Sequence, residues 1–163
     1  MQSIRCFATK RQELDAVIFD VDATLIDTVD FHAKAWHDAL EYHNIPAKYD
    51  VVRMQIGKAA DQLLPVFATQ EQITKYGEGI KARKAKIFEE KYLNQVKPFP
   101  GVRQLFELIK QRNIPIALAS SAQMDELELY KDIAKVSDLV DCQTSSTSKD
   151  VKRSKPYPGL NFI

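Results

Sequence analysis

Ala16-Val17-Ile18-Phe19 sets four apolar residues in consecutive positions, and Asp20-Val21-Asp22-Ala23-Thr24 follows at once. A short apolar run bounded by charge and rich in β-branched or aromatic residues reads as a buried strand, here Asp15 to Asp20. Apolar residues at consecutive positions are expected of a strand covered on both faces, the usual state inside a parallel sheet. Side chains alternate along a strand, so Asp20 and Asp22 leave its end on the same side. Two carboxylates that close cannot both stay ionised in a partly dry site unless a cation or a set of donors compensates them. The pair therefore points to a Mg²⁺ site or to a shared proton. The C-terminal end of a strand is also where open α/β sheets bind ligands.

The rest of the chain alternates helix and strand. Phe31, Ala35, Trp36, Ala39 and Leu40 recur at helical spacing over Val29 to about Tyr42, and Asn44-Ile45-Pro46 ends that helix. Shorter helical patterns follow around Val51 and Asp61. Glu71 to Leu93 is the longest candidate helix, with Ile73, Tyr76, Ile80 and Ile87 lining one side. Its basic residues, Lys75, Lys81, Arg83, Lys84, Lys86 and Lys91, read as a solvated face. Beyond it, Val102 to Arg112 is expected to be helical, Ile114 to Ala119 a second strand, Met124 to Lys135 helical and Leu139 to Cys142 a third strand. This order implies parallel pairing with right-handed crossovers. The expected fold class is α/β, a Rossmann-like core over 1–28 and 97–163 with a helical cap inserted over 29–96.

With 163 residues, 45% of them hydrophobic, the chain can bury a real core. A net charge of +1 gives no bulk reason to expect nucleic acid as a partner. No run approaches the length of a membrane span. Cys6 and Cys142 form no spaced framework, which suits a reducing cytoplasm and predicts no disulfide.

Three stretches, in order, resemble the motifs of the haloacid dehalogenase-like hydrolases, especially their phosphatase and phosphomutase branch. Asp20 to Thr28, DVDATLIDT, is similar to the first motif; Ala117-Leu118-Ala119-Ser120-Ser121 to the second; Ser154-Lys155-Pro156-Tyr157-Pro158 to the third. Thr28, His32 and Trp36 fall on one helical face, as in relatives with a helical cap, and Lys97-Pro98-Phe99-Pro100-Gly101-Val102 looks like the return from cap to core. The resemblance implies a small phosphorylated metabolite as substrate, Mg²⁺ as cofactor and an aspartyl-phosphate intermediate. Asp20 is the implied nucleophile, which splits one difficult hydrolysis into two easier steps. Asp22 is the implied general acid and base, work that calls for a pKa lifted by its neighbour's charge.

Mg²⁺ is expected on a side-chain oxygen of Asp20 and the main-chain carbonyl of Asp22. Ser120, Lys155 and Thr24 are the candidates for phosphate binding, with Thr24 also placed to orient Asp22 or to close the turn. Ser121 is the expected helix cap, leaving Ser120 to the phosphate. On the cap side, Thr28, His32 and Lys58 are candidates for the substrate, whereas Trp36 is more often core.

The sequence also departs from the family pattern. The fourth motif is an acidic pair, yet eight residues follow Lys155 and none is acidic. Gly159 stands where relatives usually carry Asp, so the tail reads as a truncation or a changed frame. In the family's strand order, losing the last strands leaves the first strand as an open edge, which predicts marginal stability or self-association through that edge. Ala23 replaces the usual Gly, at a cost of about 1 kcal/mol if its φ is positive. Two alternatives therefore stand beside the hydrolase: a catalytically impaired fragment with a binding role, and a phosphomutase.

Overall fold

The structure, a computed structural model, describes residues 14–145. Three parallel strands, β1 (Val17–Phe19), β4 (Ile116–Ala119) and β5 (Cys142–Thr144), lie in the order β1-β4-β5. Val17 pairs with Ile116 and Phe19 with Leu118; Ala117 pairs with Cys142 and Ala119 with Thr144. This register brings Asp20, Ser120 and Ser145 to the C-terminal end of the sheet, and the Ser120 amide donates to the Thr144 carbonyl at 3.1 Å. The expected α/β class with parallel pairing is what the chain adopts.

Helices cover this sheet because their apolar residues recur at helical spacing. On α5 (Val102–Lys110), Val102, Phe106 and Ile109 are buried, and the Phe106 ring stacks on Phe19 at 5.0 Å. On α6 (Met124–Ala134), Leu127, Tyr130 and Ala134 are buried. Lys135 ends α6 in the left-handed region, at φ +57°.

Between β1 and α5 the chain leaves through a short antiparallel pair, β2 (Ile26–Asp27) with β3 (Lys97–Pro98), which brackets a helical segment. That segment holds α1 (Val29–Tyr42), α2 (Tyr49–Arg53), α3 (Ala60–Leu63) and α4 (Gln70–Ile87). α4 starts one residue before the expected position because Thr69 and Gln72 form a reciprocal capping box. It stops at Ile87, earlier than the expected Leu93, where a π-helical turn (Phe88–Tyr92) and a 3₁₀ turn (Leu93–Gln95) take over. Trp36 is buried in the core, as expected.

The third strand lies three residues later than the expected Leu139 to Cys142. Asp141 explains the shift: its carboxylate accepts from the Ile116 amide at 2.7 Å and from Lys110 at 2.7 Å, anchoring the approach to β5. Leu139 and Val140 pack against the core from this approach rather than from a strand.

Ala23 sits at φ +63° in the turn after β1. A Cβ in the left-handed region costs roughly 1–2 kcal/mol, which glycine avoids. Ala23→Gly is therefore expected to stabilise the fold by about 1 kcal/mol. A variant that melts lower than the parent would show that this turn carries no such strain.

Candidate active site

The geometry begins at the turn that follows β1. Asp20 is exposed, and the Thr24 hydroxyl donates to its Oδ2 at 3.0 Å. Thr24 thus orients Asp20, correcting the expectation that it orients Asp22. The turn that places Ala23 at positive φ also carries Thr24 back toward the strand end, with the Leu25 amide on the Val21 carbonyl at 2.8 Å.

Asp22 has different company. Its side chain is 24% exposed, and the Thr28 hydroxyl donates to Oδ1 at 2.9 Å. His32 Nε2 lies 3.1 Å from the same oxygen, and Ser120 Oγ makes a long contact to Oδ2 at 3.5 Å. Thr28 and His32 come from the start of α1, and Ser120 from the end of β4. Burial pushes the Asp22 carboxyl up, but the His32 hydrogen bond and charge, the Thr28 hydrogen bond and the Lys84 charge outweigh it and hold the carboxyl below its ordinary value. The lifted pKa expected from the neighbouring Asp20 is therefore corrected: donors, rather than the like charge, decide this carboxylate.

Other expected residues fall less simply. The Ser120 hydroxyl accepts from the Ala122 amide at 3.0 Å and so forms the turn bond assigned to Ser121. Ser121 Oγ is buried without a hydrogen-bond partner, and Gln123 occupies the N-cap of α6. Lys58 is exposed and donates to Gln55 Oε1 at 2.6 Å; none of its described contacts reaches the carboxylates. Lys155 and the third motif lie outside the described residues, as does Cys6, while Cys142 is exposed.

Three residues that the sequence reading passed over join the cluster. Lys84, expected on a solvated face, is half-buried, with Nζ 5.1 Å from the Phe88 ring centre and 6.0 Å from that of Trp36. Burial pushes its pKa down, against the pull of Glu126 and Asp22. Glu126 Oε1 accepts the Tyr130 hydroxyl at 2.7 Å, and that hydroxyl lies 3.3 Å from His32 Nε2. Each carries a sequence signal: Lys84 is four residues after Ile80, and Glu126 and Tyr130 are an i, i+4 pair.

Thr28 also offers a test of the electrostatics. It is fully buried and makes no cap bond to α1, so Thr28→Val removes mainly its hydrogen bond to Asp22. A bond to a charged group is worth about 1.5–3 kcal/mol, and a loss near the lower end is expected at neutral pH. The folded carboxyl titrates below its unfolded value of 3.8, so its stabilisation is present above that pH and is lost as pH falls through the folded pKa. The gap between parent and variant in denaturant melts should therefore close in acid; a gap that widened would contradict the depressed pKa.

A protein-family model described as haloacid dehalogenase-like hydrolase matches residues 17–160. The chain belongs to the haloacid dehalogenase-like hydrolases. Among relatives, it is 30% identical over 156 residues to a "Phosphorylated carbohydrates phosphatase" of Thermotoga maritima, covering 92% of this chain and 68% of that protein. It is also 30% identical over 122 residues to the "Beta-phosphoglucomutase" of Bacillus subtilis, covering 68% of this chain and 52% of that one. In three dimensions it resembles the crystal structure of a hydrolase from Pseudomonas syringae, with TM-score 0.73 and 26% identity over 88% of this chain and 64% of the other. The hydrolase thus spans roughly half to two thirds of the length of these proteins. Among the described residues, no helix is long and apolar enough to cross a membrane.

Proposed function

We propose that this haloacid dehalogenase-like hydrolase cleaves a small phosphomonoester in two steps, with 29–96 as a cap over a core of 1–28 and 97–163. One observation carries the reading: two aspartates leave the same strand end in opposite states, Asp20 exposed and Asp22 ringed by donors. Exposure suits Asp20 to attack. Its carboxylate oxygen bonds to phosphorus as the bond to the leaving oxygen breaks, giving an aspartyl phosphate. Asp22 gives the leaving oxygen its proton, then takes one from the water that attacks phosphorus, releasing phosphate and restoring Asp20. Asp22 rests ionised, so the approach of an anionic phosphate, which raises the carboxyl, is what lets it load that proton. Ser120 and Lys155 would hold phosphoryl oxygens, as the motifs they stand in suggest.

Mg²⁺, when bound, would offset the charge of the phosphoryl group. The donors fit such a hard cation in kind, with the Asp20 carboxylate and the Asp22 carbonyl as oxygen ligands. The Asp22 carboxylate is engaged by Thr28 and His32, and among the described residues no three His, Cys, Asp or Glu side chains form a metal-holding group. The test is a panel of sugar, glycolate and nucleotide phosphates with and without Mg²⁺. Release of phosphate supports the hydrolase. Transfer between positions of a sugar would favour the phosphomutase that the Bacillus subtilis relative brings to mind, and failure on every compound would favour a binding role.

Two further proposals concern the surroundings. The paucity of cysteines supports a cytoplasmic location, and a net charge of +1 gives no bulk reason for a nucleic-acid partner. Self-association is the second: among the described residues β1 pairs with β4 alone, and Ile18 is 46% exposed. Open apolar edges recruit other strands. Sedimentation should show mass rising with concentration, and Ile18→Lys should suppress it; a monomer at all concentrations would exclude this contact.

A further inference from the structure

Tyr130 is buried on α6, and its hydroxyl stands between Glu126 Oε1 at 2.7 Å and His32 Nε2 at 3.3 Å. A phenol has one proton. The shorter contact, to a charged acceptor, claims it, so toward His32 the phenol oxygen can only accept. The other groups around Nε2 also accept: Asp22 Oδ1 at 3.1 Å and Glu126 Oε1 at 3.9 Å. Nε2 must therefore carry a proton. On the far side of the ring, Nδ1 is buried with no hydrogen-bond partner, so Nε2 is the ring nitrogen that serves a neighbour. The ring itself is clamped flat against Phe88, with centroids 4.3 Å apart.

We propose that Glu126 and Tyr130 are positioning residues: by holding the phenol proton, Glu126 keeps His32 a donor to Asp22 and so fixes the orientation of that carboxylate. The role for catalysis rests on the acid/base assignment of Asp22; the proton placement does not. Lys84 is the remaining charged group nearby, and it is drawn to both Glu126 and Asp22. Remove Glu126 and the phenol proton is free to turn to Nε2, which then becomes an acceptor and no longer serves Asp22. Remove Tyr130 as well and nothing competes with Asp22 for the Nε2 proton. The second substitution should therefore repair the first, which a merely structural role for Glu126 would not predict.

The experiment uses the full chain with ¹⁵N-labelled histidine at about pH 8, above the ordinary histidine range. His32 is assigned by difference from His37→Gln and His43→Gln. Long-range proton–nitrogen spectra should show the Nε2–H form in the parent, a shift toward Nδ1–H in Glu126→Ala, and a return to Nε2–H in Glu126→Ala/Tyr130→Phe. Glu126→Gln keeps an acceptor for the phenol and should resemble the parent, which covers a misfolded alanine variant. Turnover of an aryl phosphate should fall about tenfold in Glu126→Ala, the weight of one hydrogen bond to a charged group, and recover in the double variant. An Nδ1–H parent, or a double variant no closer to the parent than the single one, would overturn the proposal. Absence of turnover in the parent would count against the hydrolase reading, while the spectra would still decide the proton placement.

Discussion

Asp20→Asn is expected to lower phosphomonoester turnover by about a thousandfold or more, with the melting temperature nearly unchanged. Asparagine keeps the size of the side chain and an oxygen able to accept from Thr24, which donates to Asp20 at 3.0 Å. What it loses is the negative charge and the nucleophilic oxygen. Removing a covalent nucleophile costs orders of magnitude because the two-step route closes and only positioning effects remain. Stability should hold because Asp20 is exposed and at the surface end of the sheet. Steady-state kinetics on an aryl phosphate, with melting as a control, checks both halves. A variant as fast as the parent would remove Asp20 from the nucleophile's role.

The largest effect on stability is expected at Phe106. Its side chain is fully buried and its ring stacks on Phe19, so it joins α5 to β1, the strand that leads into Asp20. Truncation to alanine loses the transfer energy of the ring and leaves a cavity, together about 3–5 kcal/mol. A domain's whole margin is about 5–15 kcal/mol, so this single change removes a large part of it. For a chain of this size each kcal/mol moves the midpoint by roughly 2–4 °C, so a fall of roughly 6–20 °C is expected. Phe106→Leu, which fills much of the same space, should fall far less. Equal losses in the two variants would show that packing between α5 and β1 is not what Phe106 contributes.

Much of this architecture was written in periodicity. α1, α5, β4 and α6 each carry an apolar pattern that burial explains, and the structure has them and β1 within a few residues of expectation. β1 is not, however, the strand covered on both faces that its apolar run suggests, since Ile18 is exposed and Val17 and Phe19 are only partly buried. The pair β2 and β3 was not legible, because two residues each are too few to show a period. β5 was displaced because Leu139-Val140 looks like strand, whereas the hydrogen bonds that decide the register come from Asp141, Lys110 and Ile116, up to 31 residues apart.

The same division runs through the site. Asp20, Asp22, Thr28 and His32 stand close together in sequence, and the structure brings Thr28 and His32 onto the Asp22 carboxylate. The direction of the Asp22 shift was missed because the sequence shows the adjacent Asp20 but neither that His32 and Thr28 aim at this carboxylate nor that Lys84, one lysine among several, carries charge toward it. Lys84 shows how such a residue can be recovered: a lysine on the stripe of Ile80 and Ile87 belongs to the buried face, whatever its neighbours carry.

The most direct test of the central claim is to trap the intermediate. The full chain, mixed with an activated aryl phosphate and Mg²⁺ and quenched in acid, should carry one phosphoryl group on the peptide containing Asp20, lost on treatment with hydroxylamine and absent from Asp20→Asn. Steady release of phosphate with no adduct at Asp20, or with the adduct on another residue, would contradict the account.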